Sequence, residues 1–227
     1  MSKTLLFALN VGMNGLMDKV ELKVAFCSYE AAKYACQNYH YSKTIPASKL
    51  VKIGVWENEE FIGAVVFGLG ANNNLGKPYG LPSLECCELV RVALKKHQSP
   101  VTQIVSKSIN LLKNHCVGLK LIISYADTAQ NHLGVIYQAG NWIYVGRIRQ
   151  PTKYILKGKR MHARTFSSMG GVKKYPEARA VKGSSKHKYL YPLDKKTRKQ
   201  ISRLSLPYPK KDDAKQAKKV DTHSASL

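Results

Sequence analysis

The sequence predicts an α+β domain with a central mixed sheet flanked by helices. Two observations carry this prediction. Apolar, β-rich runs alternate along the chain with segments of helical periodicity, in the order β-α-β-β-β-α-β-α-β-β. The 227 residues are 44% hydrophobic and 22% charged, which is ordinary for a globular protein and sufficient to bury a core.

The first half of the chain predicts four strands and one helix. Ser28 is a typical N-cap, because Glu30 and two alanines follow it in the first turn of the helix. Asn58 and Glu59 separate two β-rich runs and therefore predict a hairpin turn. The polar, glycine-rich loop over 70–80 is either a lid beside a site or a loop without function. We predict strands over residues 20–26, 50–57, 60–69 and 86–94 and a helix over 28–39.

The middle of the chain predicts two helices and at least two strands. Pro100 begins a segment whose apolar residues recur on one helical face. The apolar run that ends at Tyr125 is continuous, which indicates a strand buried on both faces. Gly140 is a typical C-cap for the helix before it. We predict helices over 100–116 and 131–139, strands over 119–125 and 142–145, and one more strand or hairpin over 153–166.

The composition changes from Ser167 onwards. Glycine, serine and basic residues become frequent and predict an extended arm. Within this arm, residues 186–193 could pair with the sheet as a strand, and Asp194 could cap a short helix to Arg203. We predict a main domain over 1–166, a basic extension packing on it over 167–206, and a lysine-rich, disordered tail over 207–227.

Positive charge is concentrated in the C-terminal third. The chain has 37 Lys and Arg against 14 Asp and Glu, a net charge of +23. Residues 147–227 hold 23 of these basic side chains and only 5 acidic ones. This asymmetry indicates a working domain with a cationic appendage, and nucleic acid is the favoured partner, ahead of an anionic membrane.

Three classes of protein are disfavoured. The five cysteines form no Cys-x-x-Cys pair, so we predict neither a disulfide framework nor a cysteine zinc site and favour a reducing compartment. The longest apolar run, residues 61–71, is too short to span a bilayer. The apolar stretch over 5–17 is interrupted by Asn10 and Asn14 and has no cleavage site. We expect no membrane helix and no signal peptide, and place the protein in the cytoplasm.

Four spaced motifs carry a family resemblance. Tyr39-His40-Tyr41-Ser42 ends the first helix, and Ser124-Tyr125-Ala126-Asp127-Thr128 ends the strand before the helix over 131–139. The pattern Asn131-His-x-Gly134-x-x-Tyr137-Gln138-Ala-x-Asn141-Trp142 follows, and Lys-His-Lys-Tyr-Leu-Tyr-Pro-Leu occupies 186–193. With the element order of the acetyltransferase-like fold, these motifs make residues 20–205 resemble the Mom family of bacteriophage DNA-modification proteins.

The resemblance implies an enzyme, in the cytoplasm of an infected bacterium, that modifies the exocyclic amine of adenine in phage DNA. The family's product is a carbamoylmethyl-type adduct that protects DNA from restriction nucleases. Its important positions, a His-Tyr pair, a Ser and an Asp, fall by motif on His40, Tyr41, Ser124 and Asp127. In acetyltransferase-like folds a tyrosine on the helix over 131–139 often protonates the leaving group, and Tyr137 matches that placement.

Chemistry alone leaves alternatives open at these positions. A histidine with a pKa near neutrality, as expected of His40, suits removal of a proton from an amine. A solvated histidine at a helix C-terminus, beside a packed Tyr41, is the plainer interpretation. Ser124 and Asp127 end a strand, where open sheets form ligand crevices. We expect Asp127 to be free for chemistry, because Thr128 or Asn131 would cap the next helix more simply.

For Tyr137, Glu88 and Arg91 a purely structural role is also possible. Tyr137 is either an acid or an aromatic plug between helix and sheet. Glu88 and Arg91, three apart on one strand, are expected on opposite faces and therefore not to pair. Arg91 could reach a cleft or DNA, but a salt bridge elsewhere is the plainer role.

The cofactor is unknown from the sequence. Acetyltransferases bind the coenzyme A pyrophosphate through a glycine-containing loop at a helix start. The matching segment, residues 92–101, has no glycine, which argues against coenzyme A as the donor. The Mom family has been linked to iron, and His40, Asp127 and His132 are N and O ligands of the kind that iron(II) or zinc accepts. No His-x-x-His spacing supports such a site.

The expected partner is double-stranded DNA with the target adenine flipped out, because an amine within a duplex is otherwise out of reach. Basic residues on a β-rich stretch would lie several to a face, as phosphate contacts require. Four tyrosines between them could stack on the displaced base, namely Tyr144, Tyr154, Tyr189 and Tyr191. We assign to this DNA-facing surface Arg147, Arg149, Lys153, Lys159, Arg160, Arg164, Lys186 and Lys188.

Two other functions stay open at this point. One is a conventional coenzyme A-dependent N-acetyltransferase, which measurable coenzyme A binding would favour. The other is a non-enzymatic DNA-binding protein, in which only the basic residues would matter.

Overall fold

A seven-stranded sheet and a smaller three-stranded sheet organise the part of the chain that the structure describes. The computed structural model covers residues 20–69, 74–149 and 152–210. The main sheet has the order β1-β2-β3-β4-β5-β10-β6, and the small sheet has the order β8-β7-β9. Its strands are β1 (Leu22–Phe26), β2 (Leu50–Glu57), β3 (Glu60–Gly68), β4 (Cys86–Leu94), β5 (Leu121–Asp127), β6 (Ile143–Arg149), β7 (Lys153–Leu156), β8 (Lys159–His162), β9 (Arg179–Val181) and β10 (Ser185–Pro192). The helices are α1 (Tyr29–Tyr39), α2 (Val101–His115), α3 (Val135–Ala139), α4 (Ala163–Ser168), α5 (Gly171–Lys174) and α6 (Lys195–Ser202).

The predicted α+β class with a mixed central sheet is confirmed, and so are the local signals behind it. The Ser28 hydroxyl accepts the Ala31 N–H at 3.1 Å and caps α1. Asn58 and Glu59 both have positive φ, as a tight turn between β2 and β3 requires. The Asp194 carboxylate accepts the Thr197 N–H at 2.7 Å and caps α6.

Two stretches differ from the prediction. The helix expected from residue 131 begins only at Val135, because Thr128–Gln130 form a short 3₁₀ turn and Gly134 has positive φ. The extended arm expected after Ser167 is instead folded. β9 completes the small sheet with β7 and β8, α4 packs against β7 and β8, and α5 packs against α4. This small sheet joins residues on both sides of position 166, and the proposed domain division stays a prediction.

The main sheet splits between β4 and β5. These two strands form its parallel pair, which runs from Cys86 opposite Leu121 to Leu89 opposite Ser124. Beyond that point β4 continues to Leu94 and β5 to Asp127, but the two strands no longer pair with each other. The opening between the two strand ends, here called the fork, is where open sheets place ligand crevices.

Helices cover both faces of the sheet. One face carries α2, whose buried Ile104, Ile109 and Leu112 belong to the same core as Trp142 and Tyr189. On the opposite face α1 packs on β2, β3 and β4, and α6 packs on β10. The strand predicted over 186–193 is β10, and it lies between β5 and β6 with both ladders antiparallel.

The ends of the chain contribute little that can be described. Residues 1–19 and 211–227, including the apolar stretch over 5–17 and most of the predicted tail, lie outside the described residues. Tyr208 is described, and its hydroxyl donates to the Trp142 carbonyl at 2.8 Å. Among the helices that the structure describes, none is long and apolar enough to cross a membrane.

Candidate active site at the fork

Ser124 and Tyr137 meet at the base of the fork. Ser124 is fully buried, and its hydroxyl lies 2.9 Å from the Leu89 carbonyl oxygen and 2.7 Å from the Tyr137 hydroxyl. Because a carbonyl only accepts, the single serine hydrogen serves Leu89, and Tyr137 donates to Ser124. Burial raises the pKa of Tyr137 to about 12, so the phenol keeps its proton at neutral pH. Tyr137 thus combines the two roles considered for it, since it also packs against Trp142.

His40 forms the rim of the fork and is held as a neutral imidazole. Its Nδ1 accepts the Ser42 N–H at 3.1 Å, which places the hydrogen of the neutral ring on Nε2. Burial, with the positive charge of Arg91 and the nearby His132 adding to it, lowers the pKa of His40 to about 4. The expected pKa near neutrality is wrong, and His40 is a hydrogen-bond donor rather than a base at neutral pH.

Tyr41 and the rings on either side of it form an aromatic shelf, defined as His40, Tyr41 and His132. The Tyr41 ring lies 4.3 Å from the His40 ring and meets the His132 ring edge-on at 5.5 Å. Half of Tyr41 is exposed, so a planar group can stack on it. Burial, and then the charge of Asp127, raise the pKa of Tyr41.

A β-bulge brings Glu88 and Arg91 to the same face of β4. Glu88 pairs with Gly68 and Arg91 pairs with Val66, so the two residues are three apart in β4 but their partners are two apart in β3. Val90 is therefore an extra residue in β4, and the expectation of opposite faces is wrong. The Arg91 guanidinium donates to the carbonyls of Thr44 and Val90 and ties the loop after α1 to β4.

Glu88 is the residue that the sequence reasoning missed. Its side chain is partly buried, and its carboxylate makes no hydrogen bond or ion pair with any residue in the described ranges. Burial raises the pKa of Glu88, although Lys186 and Arg91 are near enough to oppose that rise. Its negative charge also contributes to the raised pKa of Tyr125 and of Tyr137, so Glu88 lies between these residues at the fork. An unpaired carboxylate with a raised pKa is typical of a general base.

Asp127 has a structural role that the sequence reasoning assigned elsewhere. Its Oδ1 accepts the Ala129 N–H at 2.9 Å and the Ser184 hydroxyl at 3.1 Å. It is the N-cap of the 3₁₀ turn, so the expectation that it takes no part in capping is wrong. Its Oδ2 makes no hydrogen bond to a described residue and stays available beside Tyr41.

The residues considered for a metal do not form a metal-binding group. Within the described ranges, no three His, Cys, Asp or Glu side chains lie close enough to hold an ion, and this includes His40, Asp127 and His132. Asp127 already accepts two hydrogen bonds, and Nδ1 of His40 is occupied by Ser42. These residues as arranged do not fit iron(II), and we derive no step through it.

The loop before α2 is closed by an internal carboxylate. Glu57 is buried, and it accepts the N–H groups of Gln98 at 3.0 Å and Ser99 at 2.6 Å. Burial alone would raise the pKa of Glu57, but these donors lower it, so the carboxylate is charged. The sequence resemblance implied that a pyrophosphate would meet backbone N–H groups of this loop. Here the Glu57 carboxylate already accepts two N–H groups of the loop, and its negative charge would repel a diphosphate.

The four tyrosines expected to stack on a base all pack against other rings. Tyr144 and Tyr189 are buried in the main core. Tyr154 stacks on Phe166 at 4.0 Å, and Tyr191 packs against Trp142 at 5.1 Å. The expectation is therefore wrong for Tyr144 and Tyr189 and stays a prediction for the partly exposed Tyr154 and Tyr191. At the fork, Tyr41 is half exposed.

The residues assigned to the DNA-facing surface fall into two groups. Arg147 and Arg149 are exposed on one face of β6, and four more lie on the adjoining small sheet and α4, namely Lys153, Lys159, Arg160 and Arg164. Lys186 and Lys188 instead lie on β10 opposite Asp127 and Tyr125 of β5, and the charge of Lys186 reaches Glu88 at the fork. Lys188 is partly buried with its Nζ 5.0 Å from the Tyr79 ring centroid, and burial lowers its pKa. Tyr79 belongs to the loop over 70–80, of which residues 74–80 are described, so this described part lies beside Lys188; whether the loop is a lid stays a prediction.

The family model described as the Mom protein family matches residues 21–210. The methylcarbamoylase Mom of Escherichia phage Mu is 25% identical over 204 residues, which cover 84% of each chain. Solved structures of similar shape include the spermidine/spermine N-acetyltransferase SpeG of Vibrio cholerae, 8% identical, with a TM-score of 0.45 over 80% of this chain and 96% of that one. An N-acetyltransferase of Staphylococcus aureus is 13% identical, with a TM-score of 0.43 over 76% of this chain and 98% of that one.

Proposed function

Because the chain belongs to the Mom protein family, we propose that it is a bacteriophage DNA-modification transferase that acts on the exocyclic amine of adenine. The group transferred is a carbamoylmethyl-type group, as the name of the phage Mu relative suggests, and the modified DNA resists restriction nucleases. The single observation that carries the chemistry is Glu88, an unpaired and partly buried carboxylate at the fork.

The reaction needs a nucleophile, a base and a departing group. The adenine nitrogen attacks an electrophilic carbon of the donor, a new C–N bond forms, and the bond from that carbon to the leaving group breaks. Glu88 accepts the amine proton, and its raised pKa suits it to this task. The Tyr137 hydroxyl, which keeps its proton, gives up its hydrogen bond to Ser124 and donates to the leaving group instead.

Positioning contributes as much as proton transfer, because the adenine amine is a poor nucleophile. The aromatic shelf offers the exposed Tyr41 ring for stacking of the flipped base. The Nε2–H of His40 donates to an acceptor on that base, since Nδ1 is held by Ser42. Arg91 fixes this loop on β4 through the Thr44 carbonyl at 3.1 Å.

The donor lacks a diphosphate in this proposal. Glu57 accepts the N–H groups of Gln98 and Ser99 in the loop before α2, and its negative charge would repel a diphosphate there, so we disfavour the coenzyme A-dependent alternative. The test of that point is calorimetric titration of the protein with coenzyme A. Saturable binding would restore the alternative, and its absence is the expected result.

The proposed activity is tested by mass spectrometry of nucleosides from the DNA of cells that express this chain, beside cells that do not. We expect a heavier deoxyadenosine whose fragments retain the added mass on the base and its amine. A mass other than that of a carbamoylmethyl group would correct the group transferred. No new nucleoside, together with salt-dependent DNA binding, would favour the non-enzymatic alternative.

A further inference from the structure

Residues 152–182, here called the basic module, form a strongly cationic unit between β6 and β10. The module comprises β7, β8, α4, α5 and β9 and holds nine Lys and Arg against one acidic residue, Glu177. None of these cations forms an ion pair with a carboxylate in the described parts of the chain. Such an unneutralised surface suits a polyanion.

The module has a small core of its own and is attached at the fork. Phe166 is buried, stacks on Tyr154 at 4.0 Å and lies 6.4 Å from the Tyr175 ring. The chain leaves the module towards β10 through Ser184, whose hydroxyl donates to Asp127. The module is therefore anchored at the same sheet edge as the proposed reaction.

The segment 167–172, here called the turn, runs from the end of α4 to the start of α5 and presents two apolar side chains to solvent. Met169 is 39% exposed and Val172 is 56% exposed. Gly170 and Gly171 between them have φ values of 112° and 60°, a conformation that favours glycine. Over residues 167–172 the other side chains are serine or glycine, so Met169 and Val172 are the large groups of the turn. Two lysines follow directly, Lys173 and Lys174.

We propose that this turn is an apolar wedge that enters a base step of bound duplex DNA. Exposed apolar residues are unfavourable in water, but between unstacked bases they replace lost stacking, and DNA-bending proteins insert such residues in this way. The surrounding lysines and arginines supply the phosphate contacts that hold the turn against the duplex. The inference rests on the proposed function for its choice of DNA as partner, and it adds how the stack is opened for the adenine to leave.

The test uses the full chain, the double variant M169S/V172S, and L84S/V117S as a matched control. Leu84 and Val117 are also exposed apolar residues, and they lie beside the starts of β4 and β5, away from the fork. Two duplexes carry 2-aminopurine, which fluoresces when unstacked; one is fully paired and the other has a mismatch that already opens the step. We expect M169S/V172S to bind the paired duplex about tenfold more weakly and to lose the fluorescence rise there. The serine side chains no longer offset the free energy lost when the bases unstack. Its affinity for the mismatched duplex and both affinities of the control should match the unaltered chain.

Unchanged affinity and fluorescence of M169S/V172S on the paired duplex would overturn the wedge. So would an equal loss on both duplexes, which would reduce the turn to an ordinary contact. The wedge and the proposed function can fail separately. If the unaltered chain unstacks the duplex and M169S/V172S does not, while neither yields a modified nucleoside, the wedge stands and the proposed function falls. If a modified nucleoside forms without unstacking, the proposed function stands and the wedge falls.

Discussion

The fork and the basic module place charge in opposite ways. At the fork, Glu88 is partly withdrawn from water and is left without a hydrogen-bond partner among the described residues. In the module, nine cations face solvent around one small aromatic core, with a single acidic residue among them. A withdrawn charge has a perturbed pKa and can move a proton, whereas a solvated charge keeps its proton and attracts an opposite charge over distance. Chemistry and DNA affinity should therefore be separable by substitution.

The largest separation is expected from E88Q. Glutamine keeps the shape of Glu88 but cannot accept a proton, so modification should fall by about 10²- to 10⁴-fold, the usual contribution of a general base. Duplex affinity should stay unchanged, because Glu88 lies at the fork and not on the module. Nucleoside mass spectrometry and a filter-binding assay measure the two quantities. The matched control is E21Q, at an exposed glutamate just before β1. Full activity of E88Q would show that Glu88 is not the base.

The opposite behaviour is expected from K159A/R160A in β8 of the module. Each lost phosphate contact should reduce the slope of log affinity against log salt by about 0.9, so the slope should fall by roughly 1.8. Binding at physiological salt should weaken as well. The control K23A/K33A removes two exposed lysines, one from β1 at the other edge of the sheet and one from α1, which packs over β2, β3 and β4. Equal slopes for K159A/R160A and K23A/K33A would show that the module does not contact the DNA phosphates.

A smaller effect on stability distinguishes the two partners at the base of the fork. S124A leaves both the Leu89 carbonyl and the Tyr137 hydroxyl without their buried partner, which should cost about 1–3 kcal/mol. Y137F removes only the donor to Ser124 and should cost about 1 kcal/mol. Urea unfolding of both variants measures the difference. Equal costs would mean that the Leu89 carbonyl finds another donor.

The smallest effect concerns His40 and pH. Its pKa in the folded chain, about 4, lies below the ordinary value of about 6.5, so the unfolded chain binds the proton more readily. The associated stability is present above pH 6.5 and is lost as the pH falls towards 4. The loss is small because His40 is only partly buried and solvent screens its charge. H40Q should lessen this loss in urea unfolding between pH 7 and pH 4.5, whereas H162Q, at an exposed histidine, should not. An identical pH dependence in both variants would contradict the burial of His40.

Local signals in the sequence were sufficient for most of the elements but not for the site. Ser28, the Asn58-Glu59 turn and Asp194 act within a few residues of their position, so their roles could be predicted. The bulge at Val90 depends on pairing with β3, a long-range contact that no local pattern encodes, and so Glu88 was placed wrongly with respect to Arg91. One signal was present: a glutamate within the apolar run over 86–94 is a carboxylate that burial would perturb.

The second lesson concerns the residues between β6 and β10. Their glycine and lysine content suggested an extended arm, yet Phe166, Tyr154 and Tyr175 provide enough apolar surface for a small sheet. The same core takes up one face of the Tyr154 ring, which stacks on Phe166. Tertiary packing decided both outcomes.

The most direct test of the separation is one titration: the fraction of deoxyadenosine modified in cells as the amount of protein is raised, for the unaltered chain, E88Q and K159A/R160A. Weakened binding is overcome by more protein, whereas a lost proton acceptor is not. The expected result is that K159A/R160A reaches the modification of the unaltered chain at higher expression and that E88Q stays near zero throughout. Recovery of E88Q with expression, or failure of K159A/R160A to recover, would contradict the assignment of chemistry to the fork and of binding to the basic module.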